Sequence, residues 1–416
     1  MRFSLPLATL LVAAGLLTSS TAHAQWATQR APGQFPLTDI HFTDANHGYA
    51  SAAVGELMKT ADGGQTWRNV RTGVGSSLRD VYFVTPDTGY VVGNVGVIIG
   101  TTDGGQTWTH HDLANLGSSV NGVYFRDGRN GLVTQGDQIW RTTDGGLTWT
   151  EAYTYGGSLA IFTFRFLKFT DAATGFAVGG YSGSFGNIAQ VVRTMDGGLT
   201  WQLLPSLANG VEMGGASAVA FPNARTGYVA DVQSRLFRTT DGGDSWEIAA
   251  EGNFGALSSL HFTDALTGYG AGYGGNLRRT TDGGQTWQDQ SLNNLDTYAA
   301  VYFPTPQIGY AAGSLGTGSS PAILKYTAPT GIAEPLSASG ISVCPNPSSG
   351  VVRLPNLPAT EAVQATLYAL DGRRLGPPTR LLGSVNELTT RGLAAGLYIL
   401  RLDLGGRTYQ QKLVVE

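Results

Sequence analysis

The pattern Thr-x-Asp-Gly-Gly-x-(Thr/Ser)-Trp occurs six times in this chain, with its aspartates at Asp62, Asp103, Asp144, Asp196, Asp241 and Asp282, at intervals of 41, 41, 52, 45 and 41 residues. Self-similarity at such a period means that one supersecondary unit is repeated. A second signature keeps the same period and occurs seven times, a Phe followed six residues later by Gly: Phe42/Gly48, Phe83/Gly89, Phe125/Gly131, Phe169/Gly175, Phe221/Gly227, Phe262/Gly268 and Phe303/Gly309. Two residues before each Phe stands an aliphatic: Ile40, Val81, Val123, Leu167, Val219, Leu260 and Val301. That alternation is the period of a strand with one face buried. Each repeat therefore reads as four short antiparallel strands, the size of a propeller blade, and the fold class is all-β with seven blades.

Six boxes against seven Phe/Gly pairs locates the ring closure. In the last repeat the strand Ile323 to Tyr326 runs into Ala328-Pro329-Thr330 where an Asp-Gly-Gly turn should be. A spare Trp lies at the other end: Trp26 precedes Gly48 by 22 residues, as Trp67 precedes Gly89. Trp26 to Gln29 is thus expected to be the outermost strand of the seventh blade, pairing two otherwise exposed edges.

Of 416 residues 59 are Gly, 13% are charged, 42% are hydrophobic and the formal net charge is −4. Nothing there would neutralise a run of phosphates, which excludes a strongly basic nucleic-acid binder. One cysteine excludes a disulfide scaffold and multi-cysteine metal sites. Residues 1–24 read as a signal peptide: Arg2, an apolar run from Leu5 to Leu17, and Ala22-His23-Ala24 before Gln25. No later segment is long and apolar enough to be a membrane-spanning helix.

In the box, an Asp at the mouth of a tight turn can accept turn N–H groups while the paired glycines tolerate positive φ. The Trp offers an apolar plate for packing between blades. Repetition in every blade is what scaffolding requires, so the six aspartates are read as structural. The pattern resembles the Asp-box, or bacterial neuraminidase repeat, of sialidases, some xyloglucan hydrolases, sortilin-type receptors and photosystem II assembly-factor propellers. Residues 25–328 are most similar to the last group, with short regular blades and a Gly-Tyr strand before the box. The resemblance implies that the ligand face is opposite the boxes.

Residues 329–340 read as a linker, and residues 341–416 as a small β-sandwich of short alternating strands. Its motifs Pro345-Asn346-Pro347, Asp371-Gly372-Arg373, Leu393-x-x-Gly396-x-Tyr398 and the terminal Lys412-Leu413-Val414-Val415 resemble, in order, the type A sorting domain of Bacteroidetes type IX secretion. The resemblance implies the type IX machinery as partner, with delivery to the cell surface or secretion. Cys344 is read as a buried small hydrophobe.

No G-x-S-x-G, H-E-x-x-H, P-loop or dinucleotide fingerprint is present, and neither a cofactor nor a metal is expected. His41 and His261 alternate with core residues and read as structural. His110-His111-Asp112 point apart on an extended chain. A basic residue recurs three before the box Asp, at Lys59, Arg141, Arg193, Arg238 and Arg279, and reads as a strand-edge charge. The repeat is broken by extra residues in 151–164, 179–187 and 205–215, which carry Tyr153, Tyr155, Tyr181 and Phe185. These four are the candidate binding residues, suited to stacking on a sugar or peptide. The expected function is a non-catalytic binding or assembly module for a glycan, peptide or surface protein. The rival is a secreted glycoside hydrolase, which needs two opposed carboxylates among Asp112, Glu151, Glu212, Asp231, Glu251 and Asp296.

Overall fold

The computed structural model describes residues 25–328 apart from 114–117, 157–160, 183–187, 206, 209–210, 253–254, 293–295 and 317–319. It also describes 334–335 and 343–415 apart from 347, 349, 356, 358–361, 370–373, 383–385 and 405–406. The expected signal peptide, Phe185, Pro347 and Gly372 lie outside the described residues. The chain divides into two compact units that meet between Ala328 and Pro329.

Among its described residues the first unit forms seven four-stranded antiparallel sheets and a short strand pair, Leu207–Ala208 with Val211–Glu212. Blade 1 is typical, with strands Leu37–Phe42, Gly48–Ala52, Glu56–Thr60 and Arg68–Arg71 in spatial order. In blade 7, Thr297–Thr305, Ile308–Ser314 and Pro321–Thr327 are completed by Gln25–Gln29, paired antiparallel with Trp26 opposite Tyr326. The ring closes as the tryptophan count predicts. Where blades 7 and 1 meet, Tyr302 Oη donates to the carbonyl of Phe42 at 3.1 Å and Tyr310 Oη to that of Gly63 at 2.7 Å.

The Phe/Gly signature has a steric cause. Phe42 and Gly48 are cross-strand partners, and a Cβ on Gly48 would stand 2.4 Å from the Phe42 ring. With that side cleared, the ring lies flat on Tyr310 of the preceding blade at 4.0 Å, and Phe83 and Phe125 lie likewise on Tyr49 and Tyr90 at 3.4 Å. The box Trp meets its Phe edge-on within one blade, Trp67 on Phe42 at 6.0 Å, and Trp26 does the same to Phe303 in the boxless seventh blade at 6.0 Å. The inter-blade plate is therefore the Phe, and the Trp braces it from within the blade. Each such aromatic pair contributes about 0.5–1.5 kcal/mol beyond area burial.

The second unit has a five-stranded sheet and a two-stranded one, sharing a core of Val352, Leu354, Leu388, Leu367, Leu400 and Leu413 among others. Glu334–Pro335, inside the stretch read as a linker, pairs in parallel with Tyr409–Gln410 as an edge strand. Asn346 bridges to the last strand, its Nδ2 donating to Lys412 O at 2.9 Å and its Oδ1 accepting from Val414 N at 2.8 Å. Pro345 is exposed beside it. Gly396 opens the strand Gly396–Leu404, and Tyr398 Oη donates to Ala394 O at 2.6 Å. Cys344 is exposed rather than buried, because its short bridge to Arg353 lies outside the core.

Candidate functional site

The boxes and the turns between first and second strands lie on one face of the ring, as shown by the bond from Gly63 N to Asn46 O at 2.9 Å. In the first box Asp62 Oδ1 accepts from Thr66 N at 2.9 Å and Thr60 Oγ1 at 2.8 Å, and Oδ2 accepts from Thr66 Oγ1 at 2.5 Å. Thr60 Oγ1 in turn accepts from Gly64 N at 2.9 Å. The same set recurs at Asp103, Asp144, Asp196, Asp241 and Asp282. Both box glycines have positive φ throughout. The threonine hydroxyl and then the backbone N–H hold the carboxyls of Asp62, Asp103 and Asp144 down to about 2. Among the described residues no cluster of three or more potential metal ligands is present.

The recurring basic position acts between blades. Lys59 Nζ donates to the box carbonyl of Gly104 in blade 2 at 3.2 Å, Lys325 to Gly63 at 2.6 Å, and Arg193 to Gly242 at 2.9 Å. Blade 2 has Gly100 at this position, and the buried His111 ring fills the space, its Nε2 2.8 Å from where a Cβ on Gly100 would be.

On the opposite face, three of the four candidate aromatics come together. Tyr155 stacks on Phe162 at 4.2 Å, and its Oη lies 2.5 Å from that of Tyr181. Tyr153 meets Phe164 edge-on at 6.1 Å. All three are half-buried against the blade 4 core rather than free in loops. The extra residues lengthen strands: Ile161–Phe169 pairs with Gly175–Ser182, so the ladder continues and the aromatics pack along it. Burial, with the Tyr181 bond second, pushes Tyr155 up to about 12.

Of the carboxylates of the rival reading, Asp231, Glu212 and Glu251 belong to residues grouped around Arg235 in blade 5, and Asp112, Glu151 and Asp296 come from other blades. Asp231 is buried 2.6 Å from Arg235 and accepts from Gln233 N and Arg235 N. Asp296 is buried and accepts from Gly316 N at 2.6 Å and Tyr298 Oη at 3.1 Å. Glu151 accepts from Gln138 Nε2 at 2.8 Å, while Asp112, Glu212 and Glu251 are exposed.

The sequence reading missed the central channel, a cavity of about 380 Å³ walled by the first strand of every blade. The position before each of the seven signature Phe residues lines it: His41, Tyr82, Tyr124, Lys168, His261 and Tyr302 form a collar, and the seventh is the small Ala220. Neighbouring collar rings touch, His41 to Tyr302 at 5.1 Å and Tyr82 to Tyr124 at 5.3 Å. One level nearer the face opposite the boxes, Asp39 Oδ2 accepts from Val81 N at 3.2 Å and Asp80 Oδ2 from Val123 N at 2.9 Å, each reaching the next blade. Burial and then the neighbouring Asp80 carboxylate raise Asp39 well above the usual carboxylate range. Burial lowers His41 and His261 to about 4. The signal was legible as the polar partner of the Val/Phe alternation, which puts these histidines on the wall and not in the core.

Residues 18–154 match the family described as photosynthesis system II assembly factor YCF48, and residues 342–416 match the secretion system C-terminal sorting domain. Among solved structures, YCF48 bound to D1 peptide is 23% identical with a TM-score of 0.59, covering 74% of this chain and 98% of that one. YCF48 from Cyanidioschyzon merolae is 22% identical with a TM-score of 0.60, covering 74% and 100%. PorZ, an essential bacterial surface component of the type IX secretion system of Porphyromonas gingivalis, is 14% identical with a TM-score of 0.55. That match covers 90% of this chain and 59% of PorZ. No curated protein matches the chain in sequence.

Proposed function

We propose a role at the cell surface or outside the cell, where the type IX sorting tail directs the propeller; no helix among the described residues is long and apolar enough to cross a membrane. In this proposed role the propeller is a non-catalytic binding module that takes a peptide, or an exposed segment of a surface protein, on the face opposite its boxes. The observation that carries this reading is a crown of exposed apolar side chains at the hairpin tips of that face. Val54, Val95, Val232, Tyr273 and Leu315 are 50, 65, 51, 68 and 43% exposed. Val54 and Val95 also sit at φ 58°, where a β-branched residue costs about 1–2 kcal/mol that Gly or Asn would avoid. Exposed side chains give folding nothing in return for that strain, whereas a partner covering them would. The peptide-bound YCF48 structure supports the peptide over the glycan, and the carboxylates engaged at Asp231 and Asp296 support binding over hydrolysis.

The test is a combined peptide and glycan array probed with the full exported chain. Peptide binders should be recovered, and changing Val54, Val95 and Tyr273 together to Asn should abolish retention without lowering the melting temperature. Recovery of a cleaved glycan instead, with turnover lost in one amide variant of Asp112, Glu151, Glu212 or Glu251, would establish the hydrolase.

A further inference from the structure

The first strands of the seven blades wall the channel, and three basic side chains, Arg79, Arg165 and Lys168, line it. Lys168 projects from blade 4 at collar level and forms no hydrogen bond or ion pair among the described residues. Arg165, nearer the face opposite the boxes on the same strand, likewise forms no hydrogen bond or ion pair among the described residues. Arg79 lines the same cavity and gives its Nε to Asn94 Oδ1 at 2.5 Å; burial and then the charge of Arg165 lower its pKa. The Lys168 and Arg165 side chains both stay accessible to solvent from the channel, so an entering anion would meet two cations whose donors are not already taken.

Two carboxylates line the channel as well, and the charge of Lys168 acts on Asp39. Asp39 and Asp80 are turned to the N–H groups of Val81 and Val123, and as neighbours they resist carrying two negative charges. The two histidines of the collar are uncharged at neutral pH, so Lys168 is the charge at depth. Around it stand the faces and edges of Tyr82, Tyr124 and Tyr302. A volume of about 380 Å³ holds one small molecule.

We propose that the central channel binds a small ring-bearing carboxylate, whose anion is held between Lys168 and Arg165 and whose ring rests on the tyrosine collar. The lysine supplies a point charge, the arginine a fork that matches carboxylate geometry, and the tyrosines contact area that fits either a sugar acid or an aromatic acid. This site is separate from the hairpin crown and does not depend on the peptide reading.

The experiment is calorimetric titration of the full exported chain at pH 7 and low salt with four probes: glucuronate, benzoate, glucose and inorganic phosphate. One of the two carboxylates should bind in the micromolar to low millimolar range, and which one binds distinguishes sugar acid from aromatic acid. Glucose and phosphate should bind at least tenfold more weakly. Lys168→Met should weaken the carboxylate tenfold or more and Arg165→Gln several-fold, with the melting temperature of each free variant close to that of the parent. The proposal is overturned if neither carboxylate binds at 10 mM, if glucose or phosphate binds as well, or if both variants bind like the parent.

Discussion

The two faces of the propeller are built from the same blades to opposite standards. On the box face nearly every turn is closed by a side chain: the box Asp and Thr in six hairpins, and Asp44, Asp127, Asp171, Asn223 or Asp264 accepting backbone N–H bonds in the turns between first and second strands. On the other face the hairpins differ from blade to blade, ranging from the turn Ala53–Gly55 to the lengthened strands of blade 4. Stability is concentrated where the sequence repeats, and variation is allowed where it does not. A rigid box face lets the opposite face change its chemistry without changing the ring.

The sharpest way to break that division is at the closure, which both faces need. Deleting residues 25–31 should lower the melting temperature by more than 10 °C and cause association through the two open edges, measured by calorimetry and light scattering; an unchanged monomer would refute closure by the N-terminus. Next is the inter-blade stack. Gly89→Ala places a Cβ 2.3 Å from the Phe83 ring and should cost at least about 1–3 kcal/mol in chemical denaturation, with peptide retention by the folded fraction intact. A single box contact follows. Thr142→Val removes the acceptor of Gly146 N and the donor to Asp144 in a buried site, and should cost about 1–3 kcal/mol. If retention were lost instead, the division of labour between the faces would be wrong.

The smallest effect is on pH dependence. His41 and His261 titrate near 4 when folded and 6.5 when unfolded, so between those values the unfolded chain binds more protons. Their contribution is complete above pH 6.5 and is lost as pH falls toward 4. Asp39 has the opposite sign, since its raised pKa favours the fold as pH falls. The variant His41→Gln, His261→Gln isolates the histidine part: its melting temperature should fall less between pH 6.5 and 4 than that of the parent. The boxes act lower, losing their contribution between about 3.8 and 2 in both proteins.

Most of the ring was legible because its determinants are local and periodic. The Phe/Gly spacing fixes a cross-strand pair, and the orphan Trp26 fixes the register of a strand whose partner lies some 300 residues away. What the sequence left hidden depends on how blades face each other. The bond from Lys59 to the next box, the role of His111 beside Gly100, and the gathering of seven first strands around a channel are long-range, and no window of one repeat contains them. Tyr153, Tyr155 and Tyr181 were found by their departure from the repeat. Their packing was not, because an insertion that lengthens two paired strands reads in sequence like one that lengthens a loop.

The strand Gln25–Gln29 is the first part of the ring to be synthesised, and it must wait for Pro321–Thr327, among the last. Until that late segment arrives, blade 7 has one strand at one end of the chain and none at the other, and the ring stays open. The other six blades are each continuous in sequence and need no such partner, so it is only the locking of the ring that is held back until almost the whole propeller has been made. The arrangement that removes exposed edges from the finished protein also times when the protein becomes finished.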